Sequence, residues 1–166
     1  IGNYYLTMEA NKQDFLNRAD KYESVGDLER AEEYRRYAEM EGKVFKDIDE
    51  CYKCYEMGMI HLHNRIALPG RVMKRTSFTK EMCDSYLITT VGKVIFNFVF
   101  PKDFPYINDG SKENLIHNRE EFFVPKGTNI PEYIASLPIK APIGKKEITA
   151  IINQIYQMYG TTKTSA

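Results

Sequence analysis

The sequence predicts an α+β fold, with helices and short strands in one compact domain. Three observations carry this expectation. Residues 11–41 are rich in Glu, Arg, Lys, Ala and Tyr, contain no proline and hold helical spacing. The stretch 86–100 changes period inside itself, from a β-branched run to a helical stripe. Near the end, Ile148, Ile151, Ile152, Ile155, Tyr156 and Tyr159 again recur at helical spacing.

Taken in order, residues 1–8 hold Tyr4, Tyr5, Leu6 and Met8, a cluster that suits a helix end or a buried strand. In 11–41, Phe15, Ala19 and Tyr22 form one stripe, and Leu28, Ala31, Tyr34, Arg35 and Ala38 another. Val25-Gly26-Asp27 between them reads as a turn, with Gly26 free to take a positive φ and Asp27 placed to cap the second helix. An antiparallel helical hairpin follows, serving either as a solvated surface element or as a docking surface. Asp47-Ile48-Asp49-Glu50 marks a capped helix start, and Gly58 its end. Residues 59–68 then alternate, which predicts a strand with Ile60 and Leu62 on one side and His61, His63 and Arg65 on a polar face. Pro69-Gly70 is a turn, and Arg71, Lys74 and Arg75 form a short basic patch.

The central stretch is the most informative. Residues 86–89 read as a strand, and Thr90 sits where an N-cap would. Val91, Val94, Ile95, Phe98 and Val99 mark the apolar side of a helix that Pro101 and Pro105 stop. One continuous buried strand over 86–100 is the alternative. Beyond it, Asn108-Asp109-Gly110-Ser111 is a turn, Phe122-Phe123-Val124 a short strand, and Asn129-Ile130-Pro131 a helix start. Pro138 and Pro142 hold an extended segment, and Gly160 closes the last helix, which is expected to form a main wall of the core.

Composition narrows the function. The chain has 166 residues, with 23 basic and 23 acidic side chains, so no charge excess marks a dedicated nucleic-acid binder. No apolar run approaches the ~20 residues of a membrane helix, and the opening lacks a basic n-region and a cleavage site, so no signal peptide is expected. Three cysteines without a disulfide pattern suit a reducing cytosol. The chain opens on Ile1 rather than Met and ends where Thr162 or Thr164 could cap another helix, as expected of a piece of a larger protein.

Two constellations invite chemistry. Cys51-Tyr52-Lys53-Cys54 with His61 and His63 suggests zinc, but no glycine-bearing knuckle surrounds the cysteines, and structural side chains are the expectation. Gly92-Lys93 at a helix start could meet an anion; equally, Gly92 serves close packing and Lys93 the surface. No nucleophile motif and no acidic metal loop accompanies them.

The motif Thr89-Thr90-Val91-Gly92-Lys93-Val94-Ile95-Phe96-Asn97, followed by Pro101-Lys102-Asp103-Phe104-Pro105, resembles the bacterial RNA polymerase β′ subunit, of the kind found in low-GC Gram-positive and mycoplasma-like bacteria. Gly2-Asn3-Tyr4-Tyr5-Leu6-Thr7, Gly42-Lys43-Val44-Phe45-Lys46 and Ile60-His61-Leu62-His63-Asn64-Arg65-Ile66 extend the likeness, and residues 145–159 continue it. The resemblance implies that residues 1–166 are one piece of the pore region, which borders the secondary channel for nucleotide entry and for the backtracked RNA 3′ end. It implies a nucleotidyltransferase whose catalytic magnesium loop lies upstream, so this piece is expected to hold no cofactor and to be inactive alone. Relatives have a short loop where 11–41 falls, so the hairpin is expected to be an insertion. Implied partners are the rest of β′, the other polymerase subunits, nucleotides, the RNA 3′ end and transcript-cleavage factors, without a membrane; the implied location is the bacterial cytoplasm, with the nucleoid. Arg65, Lys93 and Lys102 are the candidate channel-lining cations, a role in which they would focus phosphates rather than catalyse. Phe98 stands where relatives carry an acid. The competing reading is a free-standing interaction module built on the hairpin.

Overall fold

The structure is a computed structural model that describes residues 2–165, with side chains described through residue 160. A short helix α1 (Asn3–Leu6) leads into the hairpin of α2 (Lys12–Ser24) and α3 (Leu28–Glu39). Asn11 and Asp14 cap α2 reciprocally, Gly26 takes φ +82° in the turn, and the Asp27 carboxylate accepts from the Arg30 N–H to start α3. Next come β1 (Lys43–Val44), α4 (Ile48–Glu56), β2 (Arg65–Pro69) and a 3-10 turn (Gly70–Met73). Asp47 caps α4, and Gly58 leaves it at φ +71°. Then follow α5 (Lys80–Cys83), β3 (Ser85–Thr90), α6 (Val91–Asn97), α7 (Lys112–Ile116), β4 (Phe123–Pro125), α8 (Ile130–Ala135) and α9 (Lys145–Ser165). No helix among the described residues is long and apolar enough to cross a membrane.

The sheet runs β1-β2-β3-β4, parallel between the first pair and antiparallel thereafter. Successive residues face opposite sides, and both sides are covered. Ile66, Leu68 and Leu87 join Cys51, Met82, Val91 and Val94 in the larger core; Ala67, Ile88 and Val124 meet Ile130 and Ile134 of α8. A third cluster puts Phe96 of α6 with Phe104, Ile107, Ile143 and Ile151, and a fourth holds the hairpin together around Phe15, Tyr37 and Ala38.

Three expectations are corrected. The strand expected over 59–68 begins only at Arg65, because the Asn64 side chain accepts the His61 N–H and ties the preceding residues into a turn. Ile60 and Leu62 are buried, but so are His63 and Arg65, so burial does not alternate here, and no neighbouring strand among the described residues pairs with residues 59–64. Helix α6 stops at Asn97, leaving Phe98 and Val99 on the surface at 74% and 80% exposure. Finally, α9 buries only one side: Ile151 is enclosed, whereas Ile152 and Tyr156 are exposed. Gly160 leaves helical geometry at φ 74° and ψ 174°, the closing role expected of it, and a second helical segment follows. Capping by Thr162 or Thr164 lies outside the described side chains.

Candidate functional site

The strand-to-helix turn at Thr90 organises the interior. The Thr90 hydroxyl accepts the Lys93 N–H at 3.1 Å, the cap that the sequence predicts. Gly92 explains how close this turn lies to its neighbours. A Cβ there would stand 1.9 Å from the Leu6 carbonyl oxygen, and the Gly92 N–H donates to the Leu62 carbonyl at 2.9 Å. So Gly92 serves backbone packing, and no anion can approach that face.

Lys93 is not on the surface. Its ammonium is fully enclosed and donates to Glu9 Oε2 at 2.7 Å. The other Glu9 oxygen accepts the Lys140 N–H at 2.9 Å. Burial pushes the Glu9 carboxyl up, but the charges of Lys93 and Lys140, with the bonds they donate, outweigh it and hold Glu9 below the usual carboxylate range. Burial, aided by the charge of Lys140, presses the Lys93 ammonium down, and Glu9 opposes it. The pair clamps the segment before α2 and the 138–143 segment onto the first turn of α6.

Arg65 is likewise enclosed. Its Nε donates to Glu41 Oε2 at 2.7 Å, its backbone N–H to Glu41 Oε1 at 2.9 Å, and its Nη1 to the Leu137 carbonyl at 2.8 Å. Asn64 adds bonds to the Tyr37 carbonyl and to Glu41. Burial raises the Glu41 carboxyl despite Arg65, so desolvation is the larger effect there. The exit of the hairpin is thereby fixed to the sheet, and the Ala10 N–H donating to the His63 carbonyl fixes its entry.

Of the three candidate cations, Lys102 alone reaches solvent. They therefore do not share one surface of this chain, and the polar strand face expected to present Arg65 is interior. The physical reason is pairing: a buried cation needs a counter-charge, and Glu9 and Glu41 supply them from distant positions. Lys102 lines an open groove of about 780 Å³ with Arg71, Lys74, Tyr52, Phe98 and Phe100. The basic patch divides its roles. Arg75 caps the end of α6 by donating to the Asn97 and Pro101 carbonyls, Arg71 pairs with Asp84, and Lys74 is exposed. Asp47 and Asp49 line the same groove, so its charge is mixed.

The asparagines are what sequence reasoning missed. Residues 104–108 are buried without regular structure, so their backbone needs partners. Asn97 accepts the Ile107 N–H and donates to its carbonyl, both at 2.8 Å. Asn118 accepts the Tyr106 N–H, Asn114 accepts the Asn108 N–H, and Asn108 donates to the Ile88 carbonyl. Their only sequence signal is polar residues interrupting apolar runs.

The remaining candidates are engaged locally. Cys51 is buried in the main core, and burial pushes its thiol up to about 12. His61 Nδ1 accepts the His63 N–H, and His63 Nε2 contacts the Tyr5 carbonyl at 2.8 Å. No three His, Cys, Asp or Glu side chains converge on a point suited to a metal among the described residues.

Buried ion pairs and an asparagine-braced loop make the interior of this domain a scaffold. Comparison with known proteins specifies which scaffold. Residues 1–166 match the family model of RNA polymerase Rpb1, domain 3, and the chain belongs to that family. It is 40% identical, over 99% of its length, to DNA-directed RNA polymerase subunit beta′ of Bacillus cytotoxicus, 36% to that of Bacillus subtilis, and 37% to that of the Aster yellows witches'-broom phytoplasma, again over 99%. The chain spans 12% of the length of each of these relatives.

Proposed function

We propose that this chain forms part of the wall of the secondary channel in a DNA-directed RNA polymerase, the passage by which nucleotides enter and a backtracked RNA 3′ end leaves. The observation that carries this reading is the likeness to β′ subunits along 99% of the chain. The groove bearing Lys102 and Lys74 fits it physically, because exposed cations beside a low-dielectric wall attract phosphates without reacting with them. Arg65 and Lys93 act here as internal clamps that set the shape of the wall. Phosphoryl chemistry, with its magnesium, belongs to the rest of the enzyme, and no step passes through this chain. By itself the chain is inactive. Its partners are other segments of β′, the other polymerase subunits and transcript-cleavage factors.

The test is charge reversal at Lys102 in the assembled polymerase. One exposed charge contact is worth up to about 1 kcal/mol, so Lys102→Glu should raise the nucleotide KM by about two- to fivefold at low salt, and less at high salt. An unchanged KM at both ionic strengths, with an unchanged response to a cleavage factor, would remove the reading. Lys93→Glu is a poor probe, since it would set two carboxylates together in the interior.

A further inference from the structure

Where α3 leans on the turn after α4, the two leave a pocket of about 360 Å³. Its lining includes Tyr5, Tyr34, Tyr37, Tyr55, His61 and the Glu33 carboxylate. The rings stand at steep angles to one another. Tyr34 and Tyr37 meet at 80° with centroids 5.2 Å apart, and Tyr37 and His61 at 70°, again 5.2 Å apart. Such rings form adjoining sides of a box rather than a stack. Phe15 packs against the Tyr37 and His61 rings, with centroids 6.0 and 5.5 Å away, and so braces the box.

The electrostatics of the box favour a cation. Glu33 Oε1 accepts the Tyr37 hydroxyl at 2.9 Å, and no cation pairs with Glu33 among the described residues. Burial holds His61 down at about 4, so its ring is a neutral wall at pH 7. An anion would face a carboxylate and the negative faces of aromatic rings, and an apolar group would leave Glu33 desolvated without compensation. A planar guanidinium stacks on one wall and presents a fork of donors to the carboxylate, which a lysine ammonium cannot do. The chain already makes such a contact beside the pocket: the Arg18 guanidinium lies 5.1 Å from the Tyr34 ring centroid.

We propose that this pocket receives the guanidinium of an arginine on a partner protein. The site is independent of the channel reading, since it needs only the hairpin and the turn it leans on. Its test is hydrogen exchange on the full-length protein that carries these residues, with acetyl-arginine amide as probe and acetyl-citrulline amide as its uncharged match. The arginine probe should slow exchange at least twofold in peptides covering residues 31–41 and 58–63, with saturation, while the citrulline probe leaves both unchanged. Glu33→Gln, which alters a partly exposed side chain, should abolish the protection, as should Tyr34→Leu. If Tyr34→Leu does not fold, Glu33→Gln decides alone. Equal protection by citrulline, protection that survives Glu33→Gln, or no protection at all would overturn the proposal.

Discussion

Lys93 shows how far a side chain's role depends on residues that the sequence places far away. Its ammonium sits in the interior only because Glu9 meets it there, and Glu9 is also held by the Lys140 N–H. Removing one member of such a pair leaves the other charge buried and alone. Lys93→Met should therefore cost about 3–5 kcal/mol, while Glu9→Gln with Lys93→Met should recover part of that loss, as read by urea denaturation of each variant. Acid gives a second handle. Because the folded Glu9 carboxyl is held below its ordinary value of 4.5, its contribution is fully present above that pH and is lost as pH falls below it. The stability of the unaltered chain should thus drop more steeply below pH 4.5 than that of Glu9→Gln; parallel acid limbs would show that the pair adds nothing.

Among the elements, the junction of β3 and α6 was the most legible. Thr90 caps the helix as its hydroxyl and position predict, and the change of period at that residue is a change of secondary structure. The hairpin, the Asp47 cap and the Pro131 helix start were readable for the same reason: each depends on contacts within a few residues. What the sequence hid is long-range. Spacing placed Phe98 and Val99 on the helix's buried side, but Asn97 turns the chain toward Ile107 and Arg75 caps the carbonyls that a longer helix would have used. Likewise, alternation predicts Arg65 on a polar face, whereas Glu41, 24 positions earlier, pairs with it in the interior. Gly92 tests the packing of this junction. Gly92→Ala puts a methyl 1.9 Å from a backbone oxygen that cannot step aside cheaply, so it should cost about 3 kcal/mol in thermal or urea unfolding. A change under 0.5 kcal/mol would mean that α1 and α6 do not meet as described.

At the scale of the whole molecule, the features fit a piece whose interior is finished and whose surface is not. Both faces of the sheet are covered, and the enclosed charges of Lys93 and Arg65 have partners. The outside keeps Phe98, Val99, Ile152 and Tyr156 in water, apolar surface of the kind that suits contact with further protein. The chain belongs to the family of RNA polymerase Rpb1, domain 3, and the side proposed to face the channel is the groove around Lys102. Proximity is the most direct test of that side. A photoreactive amino acid placed at position 102 of the assembled polymerase should crosslink to the RNA 3′ end in backtracked complexes and not in complexes held at the forward position. Equal crosslinking in both states, or none in either while the same enzyme backtracks normally, would contradict the channel-wall account.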